Sequence, residues 1–311
     1  KTALVWKEKS FISPNWSETT NPFFDLSLPL ASLLYGITGR LFFSYGVSSL
    51  IVLLGILVSV FYILKKFNVK KTGILVTLNL IICPFLIDEF NPAIELGYCN
   101  CILTGPAHYN FRVLIFLLII IEYLNIQQKK KIDIIAFLSI ALCFVSGMSS
   151  GVYLIAMIIF PIIVYLLESV FIEKKLKVLL KKEAIYTYTC LLFVLLGKLF
   201  ASIVLQLEIH DTGNNWTSIE DFWKNIGAPF QGLLKLMKVF SLGETNVSVL
   251  SVRGITLLFP LFILFVVIIS FAFASVEVYK KIKDKTEIVP EILFFINVVF
   301  LHFLMFGFMR V

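Results

Sequence analysis

Long apolar runs recur along the chain. Short lysine-rich connections alternate between them with longer stretches of mixed polar and aromatic residues. A helix that crosses the hydrocarbon layer needs about 20 predominantly apolar residues. On that measure the pattern predicts eight spans, at 40–64, 72–87, 111–126, 132–148, 152–172, 184–206, 254–275 and 287–308. The expected fold is all-α, a polytopic transmembrane helical bundle with amphipathic helices in its outer loops. Its expected parts are an outer N-terminal segment (1–39), six transmembrane helices (40–206), an outer loop (207–253) and two further transmembrane helices (254–311).

The basic residues orient these spans. Lys65, Lys66, Lys70 and Lys71 follow the first, and Lys129, Lys130 and Lys131 the third. Lys174, Lys175, Lys177, Lys181 and Lys182 follow the fifth, and Lys280, Lys281, Lys283 and Lys285 the seventh. Short basic loops stay cytoplasmic. Residues 1–39, 88–110, 149–151 and 207–253 then face outward, as does the C-terminal end. A polar outer start of this length needs a preceding span to carry it across. With Lys at position 1, the chain therefore reads as a fragment of a longer one.

Composition agrees: 59% of residues are hydrophobic and only 15% charged. The net charge of +7 is an orientation signal of the lysine loops, not a nucleic-acid footprint. Cys83, Cys143 and Cys190 fall within apolar runs and read as packing residues. Cys99 and Cys101 have no second ligand pair nearby to make a zinc pattern.

The outer segments hold the chemistry-bearing residues, as loops on a rigid scaffold commonly do. The first contains Glu18 and Asp25, with an interface helix expected over 26–38. Asp25 also suits a helix cap. The second opens with Asp88 and Glu89, adjacent carboxylates that can hold a proton or metal or be solvated exit charges. It closes with GPAHYNFR, where Pro106 starts a helix and His108 and Arg112 share a face at i and i+4. The third carries His210, Trp216 and Trp223, and an expected surface helix from Phe230 to Phe240. His108, His210 and His302 all map to the outer side. Ionisable residues at membrane depth cost roughly 2.5–3.5 kcal/mol on insertion scales and point to function. Lys198 lies inside the sixth span, and Arg112 and Arg310 lie at outer span ends. For the arginines, snorkelling to headgroups is the alternative role. A cationic outer cavity would hold phosphate oxygens.

An outer first segment with an acid and an interface helix, many spans, and a late, long outer loop together resemble the GT-C superfamily of polytopic membrane glycosyltransferases. The resemblance covers most of the chain as organisation. It implies sugar transfer from a polyprenyl-phosphate donor at the outer face of a cytoplasmic or plasma membrane. It also implies a carboxylate in the first outer loop as base or metal partner. Asp25 is the nearest match and Glu18 the second, while Asp88-Glu89 supplies the acidic pair absent from the first segment. The implied phosphate-binding residues are Lys198, Arg112 and Arg310, supported by His108 and His210. The cofactor is unknown, a divalent metal being one option. Expected partners are membrane lipids, the lipid-linked donor and other membrane subunits. Two alternatives stand beside this reading. One is a transporter or flippase for a lipid-linked or amphipathic substrate, which would call for internal repeats and matched broken helices. The other is a non-catalytic subunit of a membrane complex.

Overall fold

The computed structural model describes residues 2–10, 28–82, 110–129, 132–155, 176–205 and 250–284, with scattered positions between 159 and 170 and Ser248. Every element among them is helical. In chain order they are α1 (Thr2–Glu8), α2 (Leu28–Thr38), α3 (Leu41–Lys66), α4 (Lys71–Ile82), α5 (Asn110–Lys129) and α6 (Ile134–Leu154). A short 3-10 helix (Leu176–Leu180), α7 (Lys182–Ile203) and α8 (Val252–Lys283) follow. Three of these are long and apolar enough to cross a membrane: Leu41–Lys66, Asn110–Gln128 and Lys182–Ile203. Shorter apolar helices accompany them at Leu28–Thr38, Ile134–Ser149 and Ile268–Glu277. The chain is thus an all-helical membrane protein. The described residues do not carry the full count of eight spans.

Helix ends follow local chemistry. Gly39 ends α2 at φ +64 and donates its N–H to the Tyr35 carbonyl at 2.7 Å. Glycine reaches this left-handed conformation without the steric cost of a Cβ. Thr38 Oγ1 and Ser44 Oγ, 3.0 Å apart, tie the end of α2 to the start of α3. At the far end of α3, Phe67 N–H reaches the Ile63 carbonyl, and Asn68 turns the chain at φ 54 toward α4.

The chain falls into two compact units. The first comprises residues 1–83, 99–159 and 166–212 and contains α1 to α7 and the 3-10 helix. The second comprises 84–98, 160–165 and 213–311 and contains α8, a single helix of 32 residues that covers the expected span 254–275.

Within the first unit the helices pair in parallel. Along α3 and α5, Gly55 meets Leu114, Tyr62 Oη donates to Asn125 Oδ1 at 3.3 Å, and Lys66 Nζ donates to Gln128 Oε1 at 3.1 Å. Positions rise together on both helices, so both run the same way. Val52, Ile56 and Leu117 form the core between them. The second pair is α6 and α7. Ser139 Oγ lies 2.6 Å from Tyr186 Oη, the Phe144 and Phe200 rings are 5.6 Å apart, and Gly147 abuts Val194. This pair is parallel too.

Small residues make the second pairing close. A Cβ added at Gly147 would run into the Val194 carbonyl, and one at Gly197 into the Phe144 carbonyl. Along the same faces Ser139, Cys143 and Ser146 on α6 and Thr187 and Cys190 on α7 are all buried. Lipid tails give apolar helices no hydrophobic reason to associate, so membrane helices pair through small residues that let backbones approach.

One expectation is corrected here. Residues 149–151 were read as an outer turn between the fourth and fifth spans, but α6 runs through them to Leu154. Ser146, Gly147 and Ser149 pack within the helix bundle and are buried. The interface helix expected over 26–38 is α2. The surface helix expected at 230–240 and the span at 287–308 lie outside the described residues, as do most of the span at 152–172 and the end of that at 72–87.

Candidate functional site

The parallel pairs sort the charges in the first unit. Lys65 and Lys66 end α3, Lys129 ends α5, and Lys70 and Lys71 lead into α4. Helix α6 starts a few residues after α5 ends, and α7 starts beside it at Lys182. All these lysines therefore collect at one end. The first residues of α3 and α5 and the last residues of α7 belong to the opposite end. Helices α1 and α2 join them there: Thr2 Oγ1 donates to Tyr45 Oη at 2.7 Å, and Trp6 covers Gly36.

Two of the expected phosphate-binding residues fall at this second end, where Lys7 of α1 and Lys9 just after it also lie. Arg112 is the third residue of α5, 7% exposed and engaged by neighbouring groups. Lys198 is on the last turns of α7 and exposed, beside the exposed Leu195 and Leu199. Helices α5 and α7 touch. Arg112 is thus held inside the bundle, while Lys198 stands on its surface. Asn110, which opens α5, is fully buried, and neither side-chain polar atom has a hydrogen-bond partner among the described residues. Glu18, Asp25, Asp88, Glu89, His108, His210 and Arg310 lie outside the described residues. Among the described residues no group of three or more His, Cys, Asp or Glu side chains could hold a metal ion.

The structure adds a residue that the sequence reading missed. Glu122 lies on α5, 0% exposed, within a stretch from Ile119 to Ile126 that is buried on every side. One carboxylate oxygen accepts the backbone N–H of Asp133 at 3.1 Å, just before α6 begins. The other accepts Asn125 Nδ2 at 3.3 Å, and Asn125 in turn accepts Tyr62 Oη. A carboxylate beside a helix N-terminus is favoured by the helix dipole. The network therefore joins α3, α5 and the start of α6 near the lysine-rich end. The signal was available: Glu122 interrupts the run FRVLIFLLIII, and an acid within a span is a candidate by default. Lying only seven positions before Lys129, it reads from sequence as part of the polar span end.

Among the described residues the closed polar cluster is thus the carboxylate clasp near the lysine-rich end, while at the other end Arg112 lies inside the bundle and Lys198 on its surface. Compared with known proteins, the chain matches no protein-family model, no curated protein and no solved structure.

Proposed function

We propose that the chain is a membrane glycosyltransferase that moves a sugar from a polyprenyl-phosphate donor to an acceptor at the outer membrane face. The observation that supports this most is the position of Arg112 and Lys198. Both belong to membrane-length helices, and both fall at the end opposite the lysine-rich connections after α3 and α5. With the lysine-rich end cytoplasmic, the two cations meet the outer leaflet, where the phosphate of a lipid-linked donor resides. In this reading eight spans frame the site, and the segment carrying Glu18 and Asp25 joins two helices packed at that same end.

Asp25 orients the acceptor hydroxyl and takes its proton, with Glu18 as the second candidate. Lys198, with Arg112 or Arg310, stabilises the phosphate as it departs. His108 and His210 orient groups at the outer face, and Asp88 and Glu89 supply an acidic pair for a divalent metal if one is used. Trp16, Trp216 and Trp223 offer apolar faces to a sugar ring.

The test is transfer from polyprenyl-phosphate hexoses in proteoliposomes, with insertion checked separately. Asp25→Asn and Lys198→Ala are each expected to abolish transfer while the protein still inserts. Wild-type transfer by both variants would remove the site.

A further inference from the structure

We propose that the corner between α2 and α3 is a docking site for a phospholipid of the leaflet opposite the lysine-rich end, its phosphate on Arg40 and its acyl chains against Ile37, Phe42 and Phe43. Residues 39–43 are five consecutive exposed positions. Phe42 is 91% exposed, Ile37 73% and Phe43 54%. Hydrogen bonds hold the corner in one shape. Ser44 Oγ donates to the Arg40 carbonyl at 2.7 Å, and the Arg40 N–H donates to Thr38 Oγ1 at 3.3 Å. Ser44 itself is buried, so the exposed residues stand on an anchored turn. Helix α3, a membrane-length helix, starts within the corner at Leu41.

Depth selects the occupant. A helix needs about 20 residues to cross the hydrocarbon. Counted back from Leu64, just before Lys65 and Lys66, that length ends near Tyr45. Tyrosine suits the interface between acyl chains and headgroups. Residues 40–43 then stand at that interface. An arginine there reaches phosphate oxygens with its planar fork, while phenylalanine and isoleucine beside it stay among the acyl chains. Free phosphate would meet Arg40 and leave the three apolar side chains in water. A lipid without phosphate would cover those side chains and offer Arg40 nothing. A phospholipid does both, and at this depth the leaflet supplies one. This inference rests on the membrane reading of the fold and is independent of the glycosyltransferase reading.

The test puts a reporter at the corner. The full chain with Phe42→Trp is placed in nanodiscs of phosphatidylcholine brominated either near the carbonyl end or near the tip of its chains, and the wild-type emission is subtracted. The added emission should be quenched mainly by the lipid brominated near the carbonyl end, and little by aqueous iodide. The same variant, stripped of lipid in detergent, is then titrated with brominated phosphatidylglycerol. One basic residue near an anionic headgroup is worth about a fivefold preference, so adding Arg40→Gln should raise the half-saturating lipid concentration by about that factor. Arg40→Lys should restore most of the loss, and brominated diacylglycerol, which has no phosphate, should bind no better to the arginine protein than to Arg40→Gln. Quenching by iodide in nanodiscs would place the corner in water. Quenching by neither agent would place it against protein, either another segment of this chain or a second copy. Either result overturns the proposal, as does an unchanged titration in Arg40→Gln.

Discussion

Gly147→Leu is expected to force α6 and α7 apart and to be among the most damaging single changes in the first unit. The reason is that the added atoms would meet backbone. A Cβ at this position already collides with the Val194 carbonyl, which cannot swing aside as a side-chain tip can. Overpacking a close interface typically costs about 1–3 kcal/mol, and contact with main chain belongs at the top of that range. Gly197→Leu should behave alike, since it meets the Phe144 carbonyl. Gly46→Leu is the control: a Cβ there meets nothing within 4 Å, so the variant should be near neutral. Cross-linking supplies a direct readout. The Cys143 and Cys190 thiols are free and within hydrogen-bond reach of one another. An added oxidant should join them in the wild-type protein and in Gly46→Leu, and fail to do so in Gly147→Leu. Equal cross-linking in all three would show that Gly147 does not set the approach of α6 and α7.

Glu122→Ala should destabilise the first unit by about 2–6 kcal/mol, since each of two buried donors left without its acceptor costs about 1–3 kcal/mol. The Asp133 N–H and the Asn125 amide would both lose their acceptor. Glu122→Gln should cost far less. Its carbonyl can still accept from Asp133, and Asn125 can flip so that its oxygen accepts the new amide while its nitrogen donates to Tyr62. Denaturant unfolding in mixed micelles orders the variants. Alanine lying within about 0.5 kcal/mol of wild type, the usual range of surface substitutions, would mean that the clasp holds nothing. Glutamine as damaging as alanine would mean that the negative charge, rather than the hydrogen-bond geometry, is required.

Helix positions were legible in the sequence where lipid imposes a length. The runs predicted at 40–64 and 111–126 became Leu41–Lys66 and Asn110–Lys129, and the lysines that close them do stand at one end of the unit. Partner choice was not legible. Alternating apolar runs invite pairing between neighbours in sequence, whereas α3 selects α5, and α6 selects α7 past the intervening chain. The deciding residues are glycines and serines, which carry no hydropathy signal for packing. For the same reason SGMSSG reads as a turn in sequence and serves as a contact surface in the fold. Of the expected site, Arg112 and Lys198 could be placed at one end because they ride on predicted helices. Glu122 escaped because its significance lies in the Asp133 N–H that it accepts, a group contributed by another helix.

The parallel pairing of α6 and α7 also has a consequence in time. Cys143 faces Cys190, 47 positions later in the chain. Ribosomes add about 5–20 residues per second, so α6 waits roughly 2–10 seconds before its partner is even synthesised. During that interval its serine- and glycine-lined face has no helix of its own chain to meet, and something in the nascent membrane environment must shelter it.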